Sequence, residues 1–445
     1  MRPEQHSSGF GPQICSCPQE NIDAIKSMGF KASRTHDWAL INPNQRVCDY
    51  FHIFPLMHLD AGDPKNYVFG PTDYLLKRTR EELGHDIFFR LGTSIEHSGP
   101  KVHFNTLIPE DFDKIAEIFA GTIRHYNRGW ANGYNWNIKY WEIWNEPDIP
   151  DEEAPRSMTW QGTNEQFFKF YEIASKHIKK CFGDSIAVGG YAAIGFTNHE
   201  IHDPDLSGNI TEEAKKADGW AHRLNFFHKF LQHVKENNCP FDFFSWHCYA
   251  ITPEKIVDRE KYCRAVMKKY GFEHVPDFLN EWNTWRKDPK MRATAYVAAN
   301  TFSVMLAMQK TETYMLNYYD ARIGQSVYGG MFNPDTYEPY KTYYGFKSFN
   351  TAYKLGKEIV TDSDNRDVYV LGARNDKKGV ILIANISDEE AEVDLDVTGV
   401  NVDEGMVITT DEQYLYTCRD EIIKDGKLQI KGHSMTEIRL CINQK

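Results

Sequence analysis

Residues 140–148 read YWEIWNEPD, an aromatic and apolar run that ends in a glutamate and a proline. Such a run is typical of a buried strand, and a buried carboxylate costs free energy unless it is paired or has a chemical task. Downstream, apolar residues recur at helical spacing over 164–183. The stretch therefore predicts a strand followed by a helix, with Glu146 at the end of the strand.

The same order of strand and helix repeats through roughly the first 350 residues. Seven strands are predicted, at 30–36, 86–92, 139–146, 185–190, 242–249, 276–282 and 312–320. An eighth would have to come first, where residues 2–10 offer only a weak and very short candidate. Further helices are predicted from Pro109, Ala221 and Pro253, with the two prolines in first helical turns.

Eight parallel strand-helix units close into a (β/α)₈ TIM barrel, whose active site lies at the carboxyl ends of the strands. The alternative is an open doubly wound sheet, but no G-x-G-x-x-G motif follows the first strand. After Gly356 the sequence changes to short, often alternating β segments separated by turn residues, which predict an antiparallel β-sandwich. We therefore expect an α/β protein with a barrel over 1–355 and a sandwich over 356–445.

Composition excludes some classes of function. The 445 residues include 51 basic and 63 acidic side chains, a net charge of −12, and no basic run that would follow a phosphate backbone. We therefore expect no nucleic-acid partner. No segment approaches the length of a membrane span, so no membrane partner is expected either. Nine scattered cysteines, an odd number, predict reduced thiols and a cytoplasmic protein.

Polar residues collect where the predicted strands end, at Arg34, His36, Asp37, Asn145, Glu146, His247, Tyr249, Asn280 and Glu281. Glu146 and Glu281 both follow an asparagine, and they end the fourth and seventh of eight strands, which face each other across the mouth of a barrel. Two facing carboxyl groups are what glycoside hydrolysis requires. A separation of about 5 Å gives retention of anomeric configuration and about 6.5–9.5 Å gives inversion. The sequence leaves that separation open.

The segments WEIWNEPD around Glu146 and FLNEWNTW around Glu281 resemble the acid/base and nucleophile segments of family 39 glycoside hydrolases. That family includes β-xylosidases and α-L-iduronidases, and it belongs to a retaining clan with catalytic glutamates on strands four and seven. SRTHD at 33–37, AVGG at 187–190 and DFFSWHCY at 242–249 resemble further family segments in the same order.

The resemblance implies a retaining exo-glycosidase that acts on a glycoside or an oligosaccharide end and needs no metal or other cofactor. It implies Glu146 as general acid/base, Glu281 as nucleophile, and Asn145 as a donor to the 2-hydroxyl of the sugar. It further implies that His36 and Asp37 line the sugar site. Residues that would orient or polarise the nucleophile are Arg34, His247 and Tyr249.

Three more residues are candidate sugar contacts. Glu96 follows the third strand in a segment without a close family counterpart, Trp285 lies just after the nucleophile segment, and Tyr319 ends the eighth strand. Glu142 is expected to be paired inside the barrel. A zinc site at Cys15-x-Cys17 is disfavoured because no second paired motif exists.

Three other functions stay open at this point: a carbohydrate-binding barrel without turnover, an inverting hydrolase and a metal-dependent hydrolase. A homo-oligomer is also left open, with the sandwich or residues 191–220 as candidate contact surfaces.

Overall fold

The barrel is built from eight parallel strands. The computed structural model describes residues 5–8, 18–38, 46–95, 106–149, 159–284, 289–321, 330–397, 405–419 and 423–442. Within them the strands are β1 Gln5–Ser8, β2 Ala32–Arg34, β3 Asp86–Leu91, β4 Tyr140–Ile143, β5 Ala187–Ala193, β6 Phe243–Tyr249, β7 Asp277–Asn283 and β8 Met315–Tyr318. Each strand pairs with the next, and β1 closes the ring against both β2 and β8.

The predicted (β/α)₈ barrel is therefore confirmed. Its weak first strand forms at residues 5–8, inside the short candidate at 2–10. Four residues suffice for that strand because both of its edges are paired, with β2 on one side and β8 on the other.

Helices follow the strands in sequence. They are α1 Gln19–Met28, α2 Tyr50–Ile53, α3 Gly70–Arg78, α4 Phe112–Arg128, α5 Asn164–Phe182, α6 His199–His202, α7 Glu212–Ala217, α8 Gly219–Glu236, α9 Pro253–Tyr270, α10 Ala295–Met308 and α11 Lys341–Leu355. Helix α9 begins at Pro253 as predicted. The expectation for Pro109 is wrong: Asp111 caps α4 instead, with its side chain accepting from the backbone N–H of Lys114 at 2.9 Å.

The barrel interior has an aromatic layer at its amino-terminal end. Phe88, Phe243, Phe278 and Met315 form one buried cluster there, and the rings of Phe243 and Phe278 stack at 4.8 Å. Two residues further along their strands, inward side chains become polar, as in the pairs Phe88 and Arg90, Tyr140 and Glu142, and Phe278 and Asn280. The aromatic layer thus closes the bottom of the barrel and leaves a polar layer to support the mouth.

The C-terminal strands form the predicted antiparallel sandwich. A six-stranded sheet has the order β14-β13-β16-β11-β10-β9 and a second sheet pairs β12 with β15. The strands are β9 Lys357–Ile359, β10 Val368–Arg374, β11 Lys378–Asn385, β12 Ala391–Asp394, β13 Met406–Thr410, β14 Thr417–Arg419, β15 Lys427–Ile430 and β16 Ser434–Cys441.

Strand β11 shows how the large sheet is buried on both faces. Ile381 and Ile383 pack in the core between the two sheets, whereas Val380, Leu382 and Ala384 belong to the main apolar cluster that includes α10 and α11. This period of two is that of a strand with both faces covered. The domain boundary at 355/356 stays a prediction, and the sheet shares its core with the barrel helices.

Over the described part of the chain, no helix combines the length and the apolar character needed to cross a membrane.

Candidate active site

Backbone conformation after β4 aims the side chain of Glu146. Trp144 and Glu146 both have left-handed backbones, with φ of 72° and 48°. Their N–H groups still donate to neighbouring strands, Trp144 to the carbonyl of Leu91 at 2.8 Å and Glu146 to that of Ala192 at 3.0 Å. Left-handed φ values are uncommon for residues other than glycine and often occur at functional sites. The segment is therefore fixed between β3 and β5 while Glu146 is turned inward.

A different backbone feature turns Glu281 inward. The register between β6 and β7 shifts so that Trp246 pairs with Leu279 but His247 pairs with Glu281, leaving Asn280 as an extra residue in β7. A β-bulge of this kind interrupts the alternation of side chains. Asn280 and Glu281, although adjacent in sequence, consequently both reach the inside of the barrel, where Asn280 bonds to Glu142 and Glu281 bonds to Arg34.

The two candidate catalytic glutamates converge. One carboxylate oxygen of Glu146, one of Glu281 and a ring nitrogen of His247 all lie within 4.8 Å of one another. Glu146 is 8% exposed and Glu281 is 4% exposed. A single small group at the mouth of the barrel can thus contact both carboxylates.

Glu281 is surrounded by donors. Arg34 donates from Nη1 to its Oε2 at 3.2 Å, and the hydroxyl of Tyr249 donates to its Oε1. The Nε2 of His36 lies 3.9 Å from Oε2. Burial raises the pKa of Glu281 above its ordinary value, and the nearby charge of Glu146 acts in the same direction. Arg34 and Tyr249 oppose this increase because they stabilise the ionised form.

His247 forms its short hydrogen bond with Glu146. Its Nδ1 lies 2.6 Å from Glu146 Oε1, and its Nε2 lies 3.7 Å from Glu281 Oε2. Burial lowers the pKa of His247 to about 4, so the ring is neutral near pH 7. The resemblance implied that His247 orients the nucleophile. The structure instead brings it closest to Glu146, in a position between the two glutamates.

Arg34 connects three strand ends. Besides Glu281, it donates from Nε to Glu142 at 2.8 Å and from Nη2 to Asn145 Oδ1 at 2.7 Å. This fixes the orientation of the Asn145 amide. Among the described residues, Asn145 Nδ2 is buried and has no protein partner. That amide group can therefore donate to a ligand, as the role expected for Asn145 requires.

Of the other predicted sugar contacts, some lie in the described part of the chain and some lie outside it. Asp37 is buried, and its carboxylate accepts from Arg90 at 3.3 Å and from the backbone N–H of Ile95 at 3.0 Å, which are structural contacts. Tyr319 is buried with its ring edge-on to His36 at 5.3 Å. Residues that lie outside the described part of the chain are Glu96, Trp285, Cys15 and Cys17.

Sequence reasoning missed Arg90, and it placed Asn280 among the polar strand ends without assigning it a role. A signal for Arg90 exists, since it is the only charged residue between Ile87 and Leu91 in an otherwise apolar strand. No such signal exists for Asn280, because its inward orientation depends on the bulge. The expected pairing of Glu142 inside the barrel is confirmed by its ion pair with Arg34.

Within the described part of the chain, two groups of side chains have the donor atoms to hold a metal ion. The first is Glu146, His247 and Glu281 in the barrel mouth, and the second is His199, Glu200 and Asp258 at the surface. In the first group each ligand already has a hydrogen-bond partner, since His247 bonds to Glu146 and Tyr249 bonds to Glu281. A metal there would compete with these bonds.

Residues 29–321, which include both glutamates and seven of the eight barrel strands, match the family model of glycosyl hydrolases family 39. The chain belongs to this family. Among curated relatives, the chain is 23% identical to a β-xylosidase of Geobacillus stearothermophilus over 201 residues, which cover 40% of this chain and 32% of the relative. It is 26% identical to a β-xylosidase of Caldicellulosiruptor saccharolyticus over 234 residues, covering 50% and 37%. The matches thus span about a third of each relative's length.

Solved structures of related fold extend over the whole chain. A glucosidase from Croceicoccus marinus has a TM-score of 0.74 at 19% identity, covering 100% of this chain and 97% of that one. A monomeric β-xylosidase from Caulobacter crescentus has a TM-score of 0.69 at 16% identity, also covering 100% and 97%. At these identities the likeness shows that the family 39 chain shares their fold, including the C-terminal sheets.

Proposed function

We propose that this family 39 protein is a retaining exo-glycosidase of the β-xylosidase type, which removes a terminal sugar from a glycoside or oligosaccharide. The observation that carries the proposal is the approach of Glu146 and Glu281, whose carboxylate oxygens lie within 4.8 Å of each other. Double displacement uses carboxyl groups about 5–5.5 Å apart, whereas inversion needs about 6.5–9.5 Å to admit a water between them.

The surroundings of the two glutamates support the roles that we propose for them. Two carboxylates this close disfavour double ionisation, so one proton stays on the pair. Arg34 and Tyr249 both donate to Glu281, which favours ionised Glu281. Glu146 instead contacts a neutral His247, and a neutral imidazole can accept from a protonated carboxyl group. On this basis we assign the shared proton to Glu146.

In the first step, Glu281 attacks the anomeric carbon while Glu146 gives its proton to the glycosidic oxygen. The bond from carbon to the leaving oxygen breaks and an ester to Glu281 forms. In the second step, ionised Glu146 takes a proton from water, whose oxygen attacks the same carbon and releases Glu281. In both steps Asn145 Nδ2 donates to the sugar's 2-hydroxyl, a role supported by its lack of a partner among the described residues.

A screen of aryl glycosides that differ in sugar and anomeric configuration tests the proposal. Release of the phenol from at least one β-glycoside, abolished in Glu281→Gln, is the expected result. Sugar binding without release from any member of the screen would support instead a binding barrel without turnover.

Two further measurements address the other hydrolytic alternatives. Proton NMR of the first sugar released distinguishes retention, which we expect, from inversion. Activity after dialysis against a chelator, compared with activity after readdition of divalent cations, tests metal dependence at the Glu146, His247 and Glu281 group. Full activity without added metal is expected.

We also propose that the protein resides in a reducing compartment such as the cytoplasm. This location is supported by the cysteines of the described residues, which are all free thiols: Cys48, Cys181, Cys239, Cys248, Cys263, Cys418 and Cys441. Alkylation of the protein in freshly lysed cells, followed by mass spectrometry, should find these cysteines unoxidised.

A further inference from the structure

Glu142 is a buried carboxylate that the proposed reaction does not use. It lies on β4, four residues before Glu146, and it is fully shielded from solvent. Its Oε2 accepts from Arg34, with distances of 2.8 Å to Nε and 2.7 Å to Nη2, and its Oε1 accepts from Asn280 Nδ2 at 2.5 Å. Both of these partners adjoin the nucleophile: Arg34 donates to Glu281 and Asn280 precedes it in β7.

Arg34 interacts unequally with the two carboxylates, Glu142 and Glu281. The guanidinium of Arg34 contacts Glu142 with two nitrogens at 2.7–2.8 Å but contacts Glu281 with one nitrogen at 3.2 Å. Both nitrogens lie near the same oxygen, Oε2, and these shorter distances make the attraction of Arg34 to Glu142 the stronger of the two. Glu142 therefore takes the larger share of the positive charge of Arg34 and leaves a weaker interaction for Glu281.

We propose that Glu142 is a positioning residue for the nucleophile: it holds Arg34 and Asn280 in place and limits the positive charge that Arg34 presents to Glu281. A nucleophilic carboxylate needs enough stabilisation to be ionised, but a full ion pair would reduce its reactivity. The inference rests on the proposed function, because it assigns Glu281 the role of nucleophile.

The protonation of Glu281 also depends on other groups that face it. They are Arg34 in β2 and His36 just after it, Glu146 just after β4, and His247 and Tyr249 in β6. All of them are unchanged in a Glu142→Gln variant. At an effective dielectric constant of about 20, removing a unit charge about one side chain away changes a pKa by about one unit or more.

The test is the pH profile of kcat/KM for Glu142→Gln on an aryl glycoside that wild type cleaves. We expect the acidic limb, which reports ionisation of Glu281, to move to lower pH by about one unit. We also expect kcat to fall about tenfold. The glutamine can keep both contacts, because Asn280 Oδ1 has no partner among the described residues and the Asn280 amide can turn to accept.

A matched control separates charge from packing. Asp277 is another buried carboxylate on β7, at its opposite end, bonded to Trp246 and Thr313 at 2.9 Å each. Asp277→Asn should lower the melting temperature without moving the acidic limb. In the double variant Glu142→Gln/Arg34→Gln, where both charges are removed, the limb should move to higher pH, because Glu281 has lost its cation.

An unmoved acidic limb in Glu142→Gln, with kcat reduced, would overturn the inference and leave Glu142 a packing residue. A second readout does not need turnover. The titration of Glu281 can be followed by ¹³C NMR of the protein with carboxyl-labelled glutamate, and the Glu281 signal is assigned by its loss in Glu281→Gln. If wild type cleaved no glycoside, the proposed function would fail, whereas the shift in the Glu281 titration on Glu142→Gln would still decide the inference.

Discussion

Replacing Glu146 with glutamine should affect substrates unequally, according to their leaving group. The change preserves the shape of the side chain, and an amide can still bond to His247 Nδ1, which lies 2.6 Å from Glu146 Oε1. Only the ability to give and take a proton is lost. General acid catalysis contributes about 10²–10⁴-fold, or about 3–5 kcal/mol of barrier. For a phenyl glycoside, whose leaving group needs a proton, kcat/KM should therefore fall by this factor.

For a 2,4-dinitrophenyl glycoside the leaving group needs no proton, and Glu281 with its donors Arg34 and Tyr249 is intact. Formation of the ester should stay within about tenfold of the wild-type rate, since general acid assistance is the only contribution removed. Its hydrolysis should be slow because no base activates the water. Stopped-flow absorbance should show a burst of about one equivalent of dinitrophenol per protein, followed by slow turnover that azide accelerates.

Azide would attack the ester from the face that water normally uses, so the glycosyl azide should retain the configuration of the substrate. Glu213→Gln, an exposed glutamate on α7, is the control and should behave as wild type. An equal loss on both glycosides, without a burst, would refute the assignment of Glu146 as acid/base. An azide product of inverted configuration would refute double displacement through Glu281.

Three other substitutions test the site and the fold. Tyr249→Phe removes a hydroxyl that donates to Glu281, and a hydrogen bond to a charged group contributes about 1.5–3 kcal/mol. The acidic limb of the kcat/KM profile should therefore move to higher pH. An unmoved limb would contradict the hydrogen bond from Tyr249 to Glu281. Burial raises the pKa of Asp148 to about 8, against an unfolded value of about 4. The folded state therefore holds a proton that the unfolded chain has released, and the unfolding free energy falls as pH rises between these values. Melting curves should show Asp148→Asn gaining stability relative to wild type from pH 5 to pH 9. A difference in stability that stays constant with pH would contradict the raised pKa of Asp148. Phe278→Ala in the aromatic layer should cost about 3–5 kcal/mol in denaturant unfolding, and a loss below 1 kcal/mol would mean that the layer is loosely packed.

The barrel could be predicted because its strands are short apolar runs and its helices have clear periodicity. β7 and β8 fell inside the predicted ranges 276–282 and 312–320 apart from Asn283, and α5 matched its predicted span within one residue. Two edge strands of the large sheet, β9 and β14, do not show the alternating pattern from which the sandwich was predicted. Each has three residues, too few to show an alternation. Strand β1 was predicted only weakly, since its pairing with β8 joins strands at opposite ends of the barrel sequence.

For the candidate site, the sequence indicated which residues come together better than it indicated which side chains contact each other. Strand ends placed Arg34, Glu146 and Glu281 together correctly. His247 was expected beside the nucleophile, yet its short bond is to Glu146. Which of two facing carboxylates a histidine contacts depends on side-chain rotation and on fractions of an ångström, and neither is encoded in the spacing of residues along a strand.

The asparagine-glutamate pair occurs twice in the site, and each copy enters the barrel through a different backbone conformation. In a regular strand, neighbouring side chains point to opposite faces, so Asn and Glu could not both enter the barrel. After β4 the chain solves this with left-handed residues at Trp144 and Glu146, and in β7 it solves it with a bulge at Asn280. Both solutions place an amide beside a carboxylate, but Asn145 Nδ2 has no partner among the described residues, whereas Asn280 Nδ2 donates to Glu142. The segment after β4, which carries the proposed acid/base, thus also offers an amide donor to the sugar, whereas the asparagine beside the proposed nucleophile donates to Glu142. Asn145→Ala should therefore weaken turnover mainly for sugars that carry a 2-hydroxyl, and 2-deoxy analogues should be cleaved by variant and wild type at similar rates.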